Sequence, residues 1–300
     1  MNTIRVSALV SCYKGEKYLS AFLQNAAEQT MRDTLEIVLV HNQPSEQEKT
    51  IVRQFQEKYP GLVNHIVVSR EPLAVSTNRA IQAAAGDYVC VWNVDDLRTP
   101  NSLELMAQTL DKNPQVAFTY GDYIVVKQWL STKGRQVNNP EFEKKEFVES
   151  MHTGPFYMWR KSLCQKIGYW DEQCLQGADY DYSCRLACES EGKKTPGQLG
   201  YYLDEGLGLS TRRGSLQPIE RTFIELRFGI YSKLDFWYYT MAKKYDVERV
   251  LQNGIWVPVD VLAPHRKHYT QSRLWLVYAV GRYPFWILLR AYHYLKKLGS

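Results

Sequence analysis

Three hundred residues, 45% hydrophobic and 23% charged, describe an ordinary globular chain, long enough for one large domain or one domain with an appendage. The formal net charge of +5 is unevenly placed: residues 251–300 hold seven Lys/Arg against one acid, net +6, which leaves −1 for the first 250 residues. Six cysteines in so long a chain exclude a disulfide scaffold, and their spacings fit no zinc motif.

IRVSALVSCY (4–13) is a short apolar run ending in small and polar residues, which predicts a buried strand. KYLSAFLQNAAEQT (17–30) places Leu19, Phe22, Leu23, Ala26 and Ala27 at helical spacing. LEIVLVHN (35–42) is a second buried strand, rich in β-branched residues. SEQEKTIVRQFQEKYP (45–60) reads as a polar helix closed by Pro60, and VNHIVVS (63–69) as a third strand. An Ala-rich helix over 75–86 stops at Gly86, and DYVCVWNV (87–94) is a fourth strand, followed by a helix from about Asn101 to Asp111. QVAFTYGDYIVV (115–126) adds one or two strands.

This alternation predicts an α/β fold, a mostly parallel sheet between helices. Ligands in such sheets sit beyond the carboxyl ends of the strands. Those ends carry Ser11, Cys12 and Tyr13; His41 and Asn42; and Asn93, Asp95 and Asp96. Two adjacent carboxylates at a strand end repel each other, and a cation or hydrogen-bond donors relieve that repulsion. No phosphate-binding glycine loop follows the first strand, so a divalent cation is the expected way to neutralise phosphate here. A second acidic cluster, Asp179 and Asp181, falls at the start of a helix, either as helix-dipole partners or with one acid as a general base.

The two clusters together resemble family 2 glycosyltransferases, the inverting family with the GT-A nucleotide-sugar-binding fold. VSALVSCYKGEKYL is similar to that family's opening strand, usually V-S-[VI]-I-[IV]-P-T-Y-N. GDYVCVWNVDD is similar to its strand ending D-x-D-D. MWRKSLCQKIGYWDEQCLQGADYDYSCRLA resembles its G-[GL]-[FW]-D-E and G-x-D-x-[DE] segment. The resemblance runs from residue 4 to about 213, in the family's order, and implies a GT-A domain over 1–215 with a helical aromatic and basic extension over 216–300.

By resemblance, Asp95 and Asp96 hold Mn2+ or Mg2+ against the diphosphate of a nucleotide-sugar donor, and Asp179 is the catalytic base. The donor-binding set is Cys12, Tyr13, Asn42, Asn78, Asn93, Asp95 and Arg212, with Ser210 and Arg213 in the same loop as Arg212; Trp170, Asp171 and Glu172 form the acceptor side. A UDP-sugar is the expected donor, with GDP- or dTDP-sugars as alternatives, and the acceptor is a saccharide or lipid-linked glycan in cell-surface polysaccharide or lipopolysaccharide assembly. Departures from the pattern are His41 and Asn42 for an acidic pair, Asn93 for the first acid of the metal motif, Thr77 and Asn78 for Arg-Asn, and Ala178 before the base. His152, just before the acceptor-side block, is a further candidate.

LWLVYAVGRYPFWILLRAYHYLKK, within 269–298, is apolar and aromatic but interrupted by Arg282 and Pro284, short of the ~20 residues that span a bilayer. Its composition suits a helix lying in a membrane interface; the alternative is a helix pair packed on the core or on a second subunit as a homodimer. Basic residues interleaved with large aliphatics do not suit nucleic acid. The N-terminus lacks a signal-peptide pattern, so a reduced cytoplasmic location, peripheral to the inner face of the membrane, is expected. The rival readings are a sugar nucleotidyltransferase and a degenerate, non-catalytic nucleotide- or partner-binding domain.

Overall fold

The computed structural model of the chain describes residues 3–206, 216–230, 245, 247–262, 288, 292 and 295. It divides into two compact units, one up to Gln217 and one from Pro218.

In the first unit, β1 (Val6–Cys12), α1 (Glu16–Ala27), β2 (Leu35–Asn42), α2 (Glu46–Lys58), β3 (Val63–Val68), α3 (Leu73–Ala83) and β4 (Tyr88–Val91) alternate in the manner expected. These four strands are mutually parallel in the order β3-β2-β1-β4. All eight residues of β2 are buried, as a central parallel strand covered on both faces requires. The chain runs outward from β1 to β3 and then returns to β1's other side as β4. Strand order therefore reverses between β1 and β4, and ligands of open α/β sheets sit at the carboxyl ends of such a pair.

The remaining strands are β5 (Leu97–Arg98), β6 (Val116–Val126), β7 (Arg135–Val137), β8 (Tyr157–Arg160) and β9 (Glu191–Leu203). β8 is inserted antiparallel between β4 and β6, β9 runs parallel to β6, and β5 caps β9 antiparallel. Four further helices are α4 (Ser102–Asp111), α5 (Lys144–Glu149), α6 (Cys164–Ile167) and α7 (Ala178–Glu189). The segment 115–126, expected as one or two strands, is one, with register shifts around Gly121 and Asp122. One core links Phe22 and Leu23 of α1 to Trp92, Met106 and Phe156; Phe22 meets Trp92 edge to face at 5.1 Å.

The second unit holds α8 (Gln217–Arg227), the hairpin β10 (Arg249–Gln252) and β11 (Ile255–Pro258), and α9 (Val259–Leu262). The hairpin adds to the helical extension expected there. It turns through Asn253 and Gly254, both at positive φ (52° and 79°), the pattern of a two-residue hairpin turn. The apolar segment 269–298 lies, apart from three isolated residues, outside the described residues, and no helix among the described residues is long and apolar enough to cross a membrane.

Candidate active site

The segment Val91–Asp96 shows why apolar burial precedes two carboxylates. Trp92 is 1% exposed, and its indole N–H donates to the Asp96 carbonyl at 3.0 Å, pinning the turn that carries both acids. Asp96 is buried and fully engaged: Oδ2 accepts from Asn93 Nδ2 at 2.9 Å and Oδ1 from the Leu203 N–H at 3.2 Å. Burial, reinforced by the neighbouring Asp95, pushes its carboxyl up to about 8. The buried Arg98 guanidinium, donating to the Val91 carbonyl at 3.0 Å and stacked 5.2 Å from Trp92, offsets part of that cost.

Asp95 differs. It is half-buried, and no side chain among the described residues hydrogen-bonds it. Burial raises its pKa against the pull of its own N–H, and Glu205 raises it further. Glu205 is held by Lys17 Nζ at 2.8 Å and Tyr18 Oη at 3.0 Å. A desolvated carboxylate at a strand end, next to a second acid in the chain, has the environment that a divalent cation relieves. Asn93 is occupied with Asp96.

On the β1 and β2 side, Tyr13 is 38% exposed and Arg70, just beyond β3, lies 4.6 Å over its ring. Asn42 is buried; its Oδ1 accepts from the Glu71 N–H at 2.8 Å and its Nδ2 donates to Ser76 Oγ at 3.0 Å, tying β2 to the start of α3. Cys12 and His41 are register partners at the ends of β1 and β2 and are fully buried. Burial, then the Glu48 charge, pushes the Cys12 thiol up to about 12.

The second acidic cluster arrives over the same sheet edge. Cys90 of β4 is level with Met158 of β8, so Tyr157 begins β8 beside the end of β4. Asp179 acts electrostatically on Tyr157, whose phenol burial already raises well above its usual value. Asp179 opens α7 half-buried, its Oδ1 accepting from the Tyr180 N–H at 2.8 Å. Asp181, two residues on, is fully buried in a bond to Arg185 Nε at 2.8 Å. Of the two acids, Asp179 is the accessible one.

Asn78 is tied to the Trp170–Glu172 turn, not to the strand ends: it bonds both backbone groups of Trp170, and its Nδ2 reaches Glu172 Oε1 at 2.9 Å. Trp170 is 3% exposed and packs toward Tyr182, while Glu172 is exposed and Asp171 half-buried, its Oδ1 accepting from the Gln173 N–H at 3.0 Å. His152 lies 5.3 Å from the Phe147 ring. Ser210, Arg212 and Arg213 lie outside the described residues. Three residues that matter here were missed in the sequence: Arg70, Glu205 and Glu48. Only Glu48 left a signal, the S-x-x-E capping box at 45–48.

The profile of the family described as Glycosyl transferase family 2 matches residues 7–168, more than half of the chain. The chain belongs to glycosyl transferase family 2. The family is one of glycosyl transferases, and the nucleotidyltransferase reading is set aside. An uncharacterized glycosyltransferase of Methanocaldococcus jannaschii is 24% identical over 190 residues, covering 60% of this chain and 63% of its own. Chondroitin synthase of Escherichia coli is 20% identical over 186 residues, covering 61% of this chain and 26% of its own. The chain thus spans under two thirds of the length of these relatives. Among solved structures, S. aureus TarS 1–349 in complex with UDP-GlcNAc superposes with a TM-score of 0.60 at 21% identity, covering 74% of this chain and 65% of that one. The same protein in complex with UDP gives 0.58 at 16% identity, covering 82% and 76%. These likenesses establish the GT-A fold.

Proposed function

We propose that this glycosyltransferase moves a sugar from a nucleotide-sugar to a hydroxyl of a saccharide or lipid-linked acceptor, with inversion, and that it needs a divalent cation. The observation that carries the reading is Asp95: a desolvated carboxylate, without a side-chain partner among the described residues, at the point where strand order reverses. Asp95 would hold Mn2+ or Mg2+ together with the donor's phosphate oxygens, the arrangement usual where one or two carboxylates and a substrate diphosphate share the ion. Bound there, the ion supplies Lewis-acid stabilisation of the departing diphosphate. Asp96, with both oxygens already bonded, keeps the Asn93–Asp96 turn in place.

Tyr13 and Arg70 flank the end of β1, where an aromatic face and a guanidinium suit a nucleobase and a phosphate. The donor proposed is a UDP-sugar, in line with the UDP and UDP-GlcNAc carried by the TarS structures. Asp179 takes the proton from the acceptor hydroxyl as that oxygen bonds to the anomeric carbon. The bond from that carbon to the diphosphate oxygen breaks in the same step, and the nucleoside diphosphate leaves with the electron pair. One displacement inverts the anomeric centre. Asp179 lies in the first turn of α7, where a carboxylate suits the positive end of the helix dipole.

Relatives named chondroitin synthase and an amylovoran biosynthesis glycosyltransferase support a place in polysaccharide assembly. The composition of 269–298 supports contact with the inner membrane surface. The test is incubation of the full chain with Mn2+, a saccharide acceptor and α-linked UDP-, GDP- and dTDP-sugars, followed by NMR. Donor consumption with a β-linked product is expected. An α-linked product contradicts inversion, and no loss of any donor contradicts the reading as a whole.

A further inference from the structure

At the ends of β1 and β2, three side chains from three elements converge. Cys12 ends β1, His41 faces it in register from β2, and Glu48 is the third residue of α2. All three are buried, and one ligand atom of each lies within 4.8 Å of the other two. His41 is 0% exposed, yet its Nε2 has no hydrogen-bond partner. That atom stands 3.6 Å from Glu48 Oε1, too far for a hydrogen bond. It is close to the ~3.4 Å edge that two ligands at about 2.0–2.1 Å span on a tetrahedral ion.

We propose that Cys12 Sγ, His41 Nε2 and Glu48 Oε1 bind a zinc-class divalent cation, separate from the donor-site ion at Asp95.

The charge balance favours this. A thiolate, a neutral imidazole and a carboxylate sum to −2, which a divalent ion neutralises in a dry site. The mixed sulfur, nitrogen and oxygen set is that of zinc, not of magnesium or calcium, which take oxygen ligands. The ligands are also held from outside. His41 Nδ1 lies 3.1 Å from His65 Nε2; with Nδ1 as donor, the Nε2 lone pair faces inward, the orientation a metal-bound histidine has when its other nitrogen is fixed. Glu48 accepts from the Gly15 N–H at 2.6 Å and the Ser45 N–H at 2.7 Å, which fixes its carboxylate and leaves lone pairs on both oxygens. A Cβ at Gly15 would stand 2.5 Å from Cys12 Sγ, so the bare backbone there gives the sulfur its room. An ion in this position would join β1, β2 and α2 beneath the loop that carries Tyr13.

The proposal is independent of the donor-site reading, and one experiment separates them. The full chain, free of any histidine tag, is stripped with chelator and titrated with Co2+ and then Zn2+ without nucleotide. One equivalent should bind, with a thiolate-to-cobalt charge-transfer band and the visible bands of a tetrahedral ion, and Zn2+ should displace it. Cys12→Ser and His41→Ala should each weaken Zn2+ binding at least about tenfold, while Asp95→Ala should leave it unchanged. Absence of the thiolate band in the wild type overturns the proposal, and that readout needs no variant to fold. Unchanged binding in Cys12→Ser, or loss of binding in Asp95→Ala, overturns it as well.

Discussion

Asn78 grips Trp170 by both of its backbone groups: its Oδ1 accepts from the Trp170 N–H at 2.9 Å and its Nδ2 donates to the Trp170 carbonyl at 3.0 Å. Through a third bond to Glu172 it fixes the turn before α7, and so the approach of Asp179 to the sheet edge. Asn78→Ala would leave the Trp170 N–H unpaired and buried, costing about 1–3 kcal/mol, or several degrees of Tm in a unit this size. Asn78→Asp should be at least as damaging, because it sets a carboxylate against Glu172. Calorimetry of both variants checks this, and the KM for acceptor should rise more than the KM for donor.

Asp179 and Asp181 stand two residues apart on α7 and should fail in different ways. Asp179→Asn should lower kcat by about 10²–10⁴ while nucleotide affinity and Tm stay near wild type. Asp181→Asn strips a fully buried partner from Arg185, so it should cost about 3 kcal/mol of stability. Urea unfolding alongside single-turnover kinetics separates the two.

The His41–His65 pair sets a pH dependence. Burial lowers both pKa values, and the mutual 3.1 Å contact adds to the effect at His65. Each histidine therefore binds a proton more readily unfolded than folded. Stability from this pair is complete above the unfolded value near 6.5 and falls as pH drops below it, by at most about 1.4 kcal/mol per pH unit for each group. Unfolding in chelator at pH 5 and 7.5 should show that loss in the wild type and a smaller one in His65→Gln.

The parallel half of the sheet was legible because each element carries its own periodicity and stops at a polar strand end. Of the other half, only β6 was. β9 reads EGKKTPGQLGYYL, with Pro196 and three glycines, and it is held extended by its long parallel pairing with β6 and by β5 on its other side. The acids of the candidate site were legible because two carboxylates after an apolar run are conspicuous. Their different surroundings were not: Leu203, which bonds Asp96, and Glu205, which acts on Asp95, come from a segment more than 100 residues further along the chain. The convergence of Cys12, His41 and Glu48 escaped for the same reason, since strand register and a helix cap, not sequence spacing, bring them together.

The most direct test of the central claim is thermal unfolding with UDP, with and without Mn2+, on the wild type, Asp95→Ala and Asp179→Asn. At 100 times its dissociation constant, UDP with Mn2+ should stabilise the wild type by about 2.7 kcal/mol. That gain should vanish without the metal and in Asp95→Ala, and persist in Asp179→Asn. Stabilisation of equal size without Mn2+, or in Asp95→Ala, would contradict the account.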